Sequence, residues 1–163
     1  MFSQRVINAG VVVMQNSSHP ALSGADQLAA NTADFLLLVG RILLGIIFVR
    51  SGFPKLFDIS GVAASFPPRG IPAFMAYISV PAEFFGGLAL IFGFATRYFV
   101  IVMIIFMLVA TFSSHRYWDA PPAQQVAQAS NFFKNLAMIG GLLFLFVTGP
   151  GALSIDGWLR KKT

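Results

Sequence analysis

Four long apolar stretches constrain this chain more than any other feature. They fall at about Ala33–Phe53, Ile71–Phe94, Thr96–Ser114 and Asn131–Val147. A helix needs about 20 residues to cross the hydrocarbon core of a bilayer. All four stretches are near that length, the last being the shortest. Backbone groups in lipid must find their hydrogen bonds within the spanning segment, which selects helices over open strands. The expected fold is therefore all-α, an integral membrane protein built as an antiparallel bundle of four transmembrane helices. Composition agrees: the chain is 56% hydrophobic and only 10% charged, against about 25% charged for a soluble domain. So few polar groups cannot cover a surface in water, and the first expected partner is the lipid bilayer.

The links between the stretches read as connections of one domain. Lys55–Gly70 holds Asp58, Gly61, Pro67, Pro68 and Arg69, a polar and turn-rich loop. Gly93-Phe94-Ala95-Thr96-Arg97 is a tight turn, and His115–Ser130 carries Asp119, Pro121 and Pro122 before a Gln-rich run. Gly149-Pro150-Gly151 is a helix stop. Short links predict an up-down-up-down order. Residues 1–31 read as a polar, flexible tail, 32–158 as the membrane domain and 159–163 as a basic tail. Within the first segment Ala9–Met14 is apolar but too short to span, and with Arg5 alone before it the match to a secretory signal is weak. Met14 offers an alternative start.

The net charge of +5 does not indicate nucleic acid, because the basic residues are scattered and several sit inside apolar runs rather than on one patch. The chain has no cysteine, so disulfides, thiolate metal sites and iron–sulfur clusters within it are excluded. His19 and His115 are its two histidines, one of them in the polar tail, which argues against a bis-histidine haem. No metal site and no covalently bound cofactor is expected. Four spans place both termini on one side. Arg97, Arg160, Lys161 and Lys162 lie on that side, and Arg50, Lys55, Arg69, Arg116 and Lys134 on the other. If some of the latter serve function rather than topology, the positive-inside rule puts both termini in the cytoplasm.

Charges inside a spanning helix cost roughly 2.5–3.5 kcal/mol at mid-membrane, so they are the informative residues. Arg41, Gly45, Phe48, Gly52 and Lys55 follow one helical stripe, and the two glycines allow a neighbouring helix to approach closely. Arg50 points to the opposite side of that helix. A second stripe holds Glu83, Gly87, Leu90, Phe94 and Arg97. Arg41 and Glu83 both fall near mid-span, which predicts an intramembrane ion pair between them, either fixing helix register or serving a proton or ligand site. Pro81 is expected to kink its helix beside Glu83, as a packing device or as the wall of a cavity. In the fourth stretch Asn131, Asn135, Met138 and Leu142 share a face with Lys134 on its flank, and Gly140-Gly141 allows close packing. On the side away from the termini, Arg50, Lys55, His115, Trp118, Lys134 and Asn135 gather. They read either as interfacial anchors or as a cationic, aromatic-rimmed cup for an anionic or quinone-like head group.

These residues also resemble a known pattern. Arg41-Ile-Leu-Leu-Gly45, Ser51-Gly52-Phe-Pro-Lys55, Pro81-Ala-Glu83-Phe-Phe-Gly86-Gly87, Gly93 with Thr96-Arg97, Phe133-Lys134-Asn135-Leu136 with Gly140-Gly141, and Gly149-Pro150-Gly151 with Ser154-Ile155-Asp156 stand in the order and spacing of the DoxX family. The resemblance covers about residues 34–158 and implies a four-helix protein of the bacterial inner membrane. Relatives include membrane subunits of thiosulfate:quinone oxidoreductase, so it also implies a subunit of a quinone-linked redox system, with quinone as the candidate cofactor and redox subunits as partners. Whether such a subunit is itself catalytic stays open. The residues leave two further readings: a small-molecule or proton-coupled transporter, which four helices would build as a homo-oligomer, and a non-catalytic membrane scaffold for partner proteins.

Overall fold

A computed structural model describes residues 20–162. The signal-peptide reading, the Met14 start and His19 lie outside the described residues. The elements are α1 (Pro20–Leu56), α2 (Ile59–Ala64), 3₁₀ turns at Pro67–Arg69 and Ala73–Met75, α3 (Ala76–Phe92), α4 (Thr96–Ser114), a 3₁₀ turn at Tyr117–Asp119, α5 (Pro122–Thr148) and α6 (Ile155–Arg160). There is no strand among the described residues. Four segments are long and apolar enough to cross a membrane: Gly24–Leu56, Ala73–Phe92, Thr96–Asp119 and Pro122–Thr148. The all-α bundle of four spanning helices expected from the apolar stretches is the fold observed.

The helix ends differ most from the hydropathy boundaries at the starts of α1 and α5, and α3 is shorter than its stretch at both ends. α1 starts at Pro20, so residues read as tail are helical from there. Its first part is rich in Ala, with two Leu, good helix formers that outweigh the roughly 1 kcal/mol penalty of Gly24. α5 starts at Pro122, taking in the Gln-rich run; a proline at the first helical turn gives up an N–H that would be unpaired there anyway. At 37 and 27 residues, α1 and α5 are about 55 and 40 Å long, more than the hydrocarbon core needs, so each projects beyond the bundle at opposite ends. α4 keeps the bounds that hydropathy gave it. Pro81 lies within α3 without ending it.

α1 packs most extensively on α3, α3 on α4, α4 on α5, and α5 closes the ring against α1. Each helix buries one narrow stripe. On α1 it is Arg41, Gly45, Phe48 and Gly52; on α4 Thr96, Val100, Met103, Met107 and Thr111; on α5 Phe132, Asn135, Met138, Leu142 and Leu145. The shared core joins Phe48, Leu90, Val100, Met103, Met107, Met138, Leu142 and Leu145. Phe35, Ile46, Ile105, Phe144 and many other large apolar side chains face outward, as lipid-facing surfaces do. The α3 stripe runs through Val80, Glu83, Gly87 and Leu90 but stops there, because the helix ends at Phe92 and leaves Phe94 and Arg97 exposed.

The α1–α3 seam is the tightest. A Cβ on Gly45 would lie 2.7 Å from the carbonyl oxygen of Gly87, and one on Gly87 would lie 2.9 Å from that of Gly45. The two backbones touch, the geometry that small residues allow between membrane helices.

Candidate functional site

The antiparallel register of that seam decides where the charges go. Arg41 is 1% exposed and faces the end of α3. Its Nη1 donates to the carbonyl oxygens of Ile91 at 2.9 Å and Leu90 at 3.5 Å, and its Nη2 donates to that of Leu153. Glu83 lies seven to eight residues back along α3, about 11 Å of helix rise. It pairs with Lys55 instead, whose Nζ lies 3.0 and 2.7 Å from its two carboxylate oxygens. The expected Arg41–Glu83 pair is therefore corrected to Lys55–Glu83. Both residues do lie near the middle of their own helices, but Gly45 packs on Gly87 and Gly52 on Phe84, a register that carries Arg41 past Glu83 to the end of α3.

Around Arg41 the termini side of the bundle is closed by a polar cap. Gly93 ends α3 at φ 64, and Ala95 is also left-handed at φ 44, which costs a residue bearing a Cβ about 1–2 kcal/mol. The turn is held by Asp156, at the start of α6. One carboxylate oxygen accepts from the N–H of Ala95 at 2.7 Å, the other from that of Thr96 at 2.8 Å. The Asp156 N–H in turn donates to the Gly93 carbonyl at 2.9 Å. Asp34 on α1 accepts from the Ala152 N–H at 2.6 Å, and Ser154 caps α6 by accepting from Gly157 N–H at 3.0 Å. Asp156 also acts on Arg41 electrostatically. Only Nε of Arg41 and Oγ1 of Thr96 are buried without a partner among the described residues. Asp156 escaped the sequence reading as a functional residue. The signal was there in the serine three residues before a glycine and the acid in the first helical turn, but these mark only a short capped helix, not what it docks against.

At the other end Lys55 and Glu83 are arranged differently. Glu83 is 5% exposed, whereas the Lys55 side chain keeps 38% of its surface open. Lys55 Nζ also donates to Ser51 Oγ at 3.0 Å. Across the same seam the rings of Phe57, Phe53, Phe84 and Phe85 touch in sequence, at centroid distances of 5.2, 5.9 and 5.2 Å. Phe53, Phe57 and Phe85 are exposed to the surroundings.

The remaining residues of the expected cup lie at this end but in separate arrangements. Asn135 donates through Nδ2 to Thr111 Oγ1 at 3.1 Å, both buried between α4 and α5. His115 Nδ1 and Gln128 Oε1 share a hydrogen bond of 2.9 Å. Lys134 is exposed and donates to Asn131 Oδ1 at 2.9 Å. Trp118 stacks edge-on with Tyr117 and Phe132 in an aromatic cluster. Arg50 is exposed, with no hydrogen bond or ion pair among the described residues. Of the six, only Lys55 meets a carboxylate.

Comparison with known proteins agrees with this architecture. The DoxX family model matches residues 36–116. The chain is 39% identical over 132 residues to inner membrane protein YqjF of Escherichia coli, covering 79% of this chain and 95% of that one. It is 35% identical over 123 residues to inner membrane protein YphA of the same organism, covering 74% and 88%. A shorter likeness, 39% over 71 residues, covers 44% of this chain and 51% of the putative oxidoreductase CatD of Bacillus subtilis. No solved structure matches. With four spanning helices around an Arg41-centred cap and two such full-length relatives, this chain belongs to the DoxX family of multi-pass membrane proteins.

Proposed function

We propose that this protein is the membrane subunit of a quinone-linked redox system of the inner membrane, with Lys55 and Glu83 as the pair that meets the quinone head group. The observation that carries this reading is the half-open Lys55–Glu83 pair at the end of the α1–α3 seam. Here the ammonium keeps accessible surface from which it can donate to a carbonyl oxygen, and the buried carboxylate beside it is placed to hold or pass a proton. The exposed rings of Phe53, Phe57 and Phe85 offer an apolar wall for a ring and its tail. When bound, quinone would supply the two-electron chemistry. The chain carries no cysteine, so the reading gives electron delivery to a partner subunit and head-group binding to this one. The likeness to a putative oxidoreductase supports the same direction.

Both termini are assigned to the cytoplasmic side in this reading, with Arg97, Arg160, Lys161 and Lys162 on it, on the condition that basic residues of the other side, Lys55 first, serve the site rather than topology. A reporter active only outside the cytoplasm, fused after Lys162, should stay silent.

The test is binding of a short-tailed quinone to the purified protein in nanodiscs. Saturable binding is expected from the wild type, weakened about tenfold or more by Lys55→Met, the loss of one charge-assisted hydrogen bond. Glu83→Gln should weaken it as well. Lys134→Ala should change nothing, because Lys134 is exposed and bonded to its own helix. Absence of saturable binding by monodisperse wild-type protein would sink the redox reading and leave the transporter and scaffold readings.

A further inference from the structure

The outward face of α1 carries a charge that nothing among the described residues answers. Arg50 is exposed and lies half-way round the helix from Arg41 and the buried stripe. It has no hydrogen bond or ion pair among the described residues. Leu43, Ile46, Ile47, Phe53 and Phe57 stand around it on the same side of the helix, all apolar and all exposed. α1 packs on α3, α5 and α2, and these leave that side uncovered.

Arg50 belongs to the loop-side half of α1 but not to its edge. Gly52 packs on Phe84, near the middle of the Ala73–Phe92 span, and Arg50 stands about 3 Å of helix rise further from the loop side. The near end of α1, at Leu56, is about 9 Å of rise away. Helical Cα–Cβ bonds tilt toward the helix N-terminus, which for α1 is the far side of the membrane. The side chain therefore sets out away from the nearer head groups, and a lipid phosphate would have to be drawn into the acyl region to meet it. A second copy of the chain, inserted the same way, does not supply the partner either. At this height its acid is Glu83, which is buried and held by Lys55. Asp34 and Asp156 bond within the termini-side cap, and Asp58 and Asp119 lie in the loop-side connections.

We infer that the outward face of α1 docks a membrane-spanning helix of another protein, one that carries an Asp or Glu near mid-span to pair with Arg50. A guanidinium and a carboxylate meeting at this depth satisfy each other where water is absent. Ile46 and Ile47 supply the apolar surface around the pair. A charge placed on such a face selects which helix docks and at what height. The inference does not rest on the quinone reading, since a scaffold would need such a partner as much as a redox subunit would.

A photoreactive residue in place of Ile46, one turn from Arg50, would be activated in membranes of the organism that encodes the protein, with the full chain expressed, and the crosslinked peptide sequenced. The expected product is a spanning helix of another protein with an Asp or Glu near its middle. Arg50→Leu should leave the purified protein monodisperse, because Arg50 bonds to nothing among the described residues, and should cut the crosslink about tenfold by leaving the partner's carboxylate unpaired. Arg50→Glu should cut it at least as far, like charges in contact being repulsive, and an Arg in place of the partner's acid should then restore it to within about threefold. Should Arg50→Glu fail to fold, Arg50→Leu combined with Leu in place of that acid makes the same test, two apolar groups being nearly neutral. A crosslink only to phospholipid assigns Arg50 to a lipid and overturns the inference. So does a crosslink only to a second copy of this chain, one to a helix without an acid, no crosslink at all, or a yield that Arg50→Leu leaves unchanged.

Discussion

The two ends of this bundle carry similar residue types and treat them in opposite ways. On the termini side Arg41 spends its guanidinium on three backbone carbonyls, and Asp156 spends its carboxylate on two backbone N–H groups. On the loop side Lys55 and Glu83 pair side chain to side chain, with the lysine left accessible. A charge that satisfies backbone groups in a buried turn replaces hydrogen bonds that water cannot supply there, so it stabilises the fold. A charge whose partner is another side chain, open on one flank, can change partners when a ligand arrives. Burial of a charge in a membrane helix is thus not by itself a sign of chemistry; what it is bonded to decides.

That contrast can be broken by mutation. Arg41→Met should be the most damaging change, about 3–5 kcal/mol, because it takes the side-chain donor from the carbonyls of Ile91 and Leu153 in a buried cap and removes the positive charge near Asp156; loss of monodisperse protein in detergent would show it. Gly93→Ala should cost about 2 kcal/mol or more, since the residue sits at φ 64 and a Cβ would lie 2.5 Å from that of Ser154. Asp156→Asn, which turns one acceptor into a donor facing an N–H, should cost about 1–3 kcal/mol and open residues 149–160 to proteolysis before the rest of the chain. At the open end Glu83→Gln should lower stability by only about 1 kcal/mol, the lysine being free to reach the interface, while its effect on quinone binding is large. Asn135→Leu should be milder still, about 0.6 kcal/mol for one interhelical hydrogen bond. If Glu83→Gln unfolds the protein as readily as Arg41→Met does, the distinction between the ends collapses.

The spanning helices were legible because lipid imposes a length and a composition, and Thr96–Ser114 was read to the residue. The buried stripe of α1 was legible too, since its glycines repeat at helical spacing. The outer turns of α1 and α5 were not, because Ala- and Gln-rich segments outside the apolar core carry no hydropathy signal to separate helix from tail. Arg41's partners could not be read at all: they are carbonyls, which every residue has. Glu83 drew the pairing because it is the acid at the middle of an apolar stretch, and a position along one helix does not give its register against the next, which here is set by Gly45 on Gly87 and Gly52 on Phe84. Of the residues grouped as a cup, the sequence placed all at one end but could not say that they would settle into separate local pairs.

The cap also sets an order of events during biosynthesis. Arg41 enters the membrane with the first helix, but Leu153, one of its acceptors, lies 112 residues later. Until that segment emerges from the ribosome and folds back, the first helix holds a guanidinium whose hydrogen bonding is incomplete. An unfinished chain is then chemically distinguishable from a finished one at a single buried side chain. The last segment of the membrane domain to be made thus completes the hydrogen bonding of a side chain in its first helix.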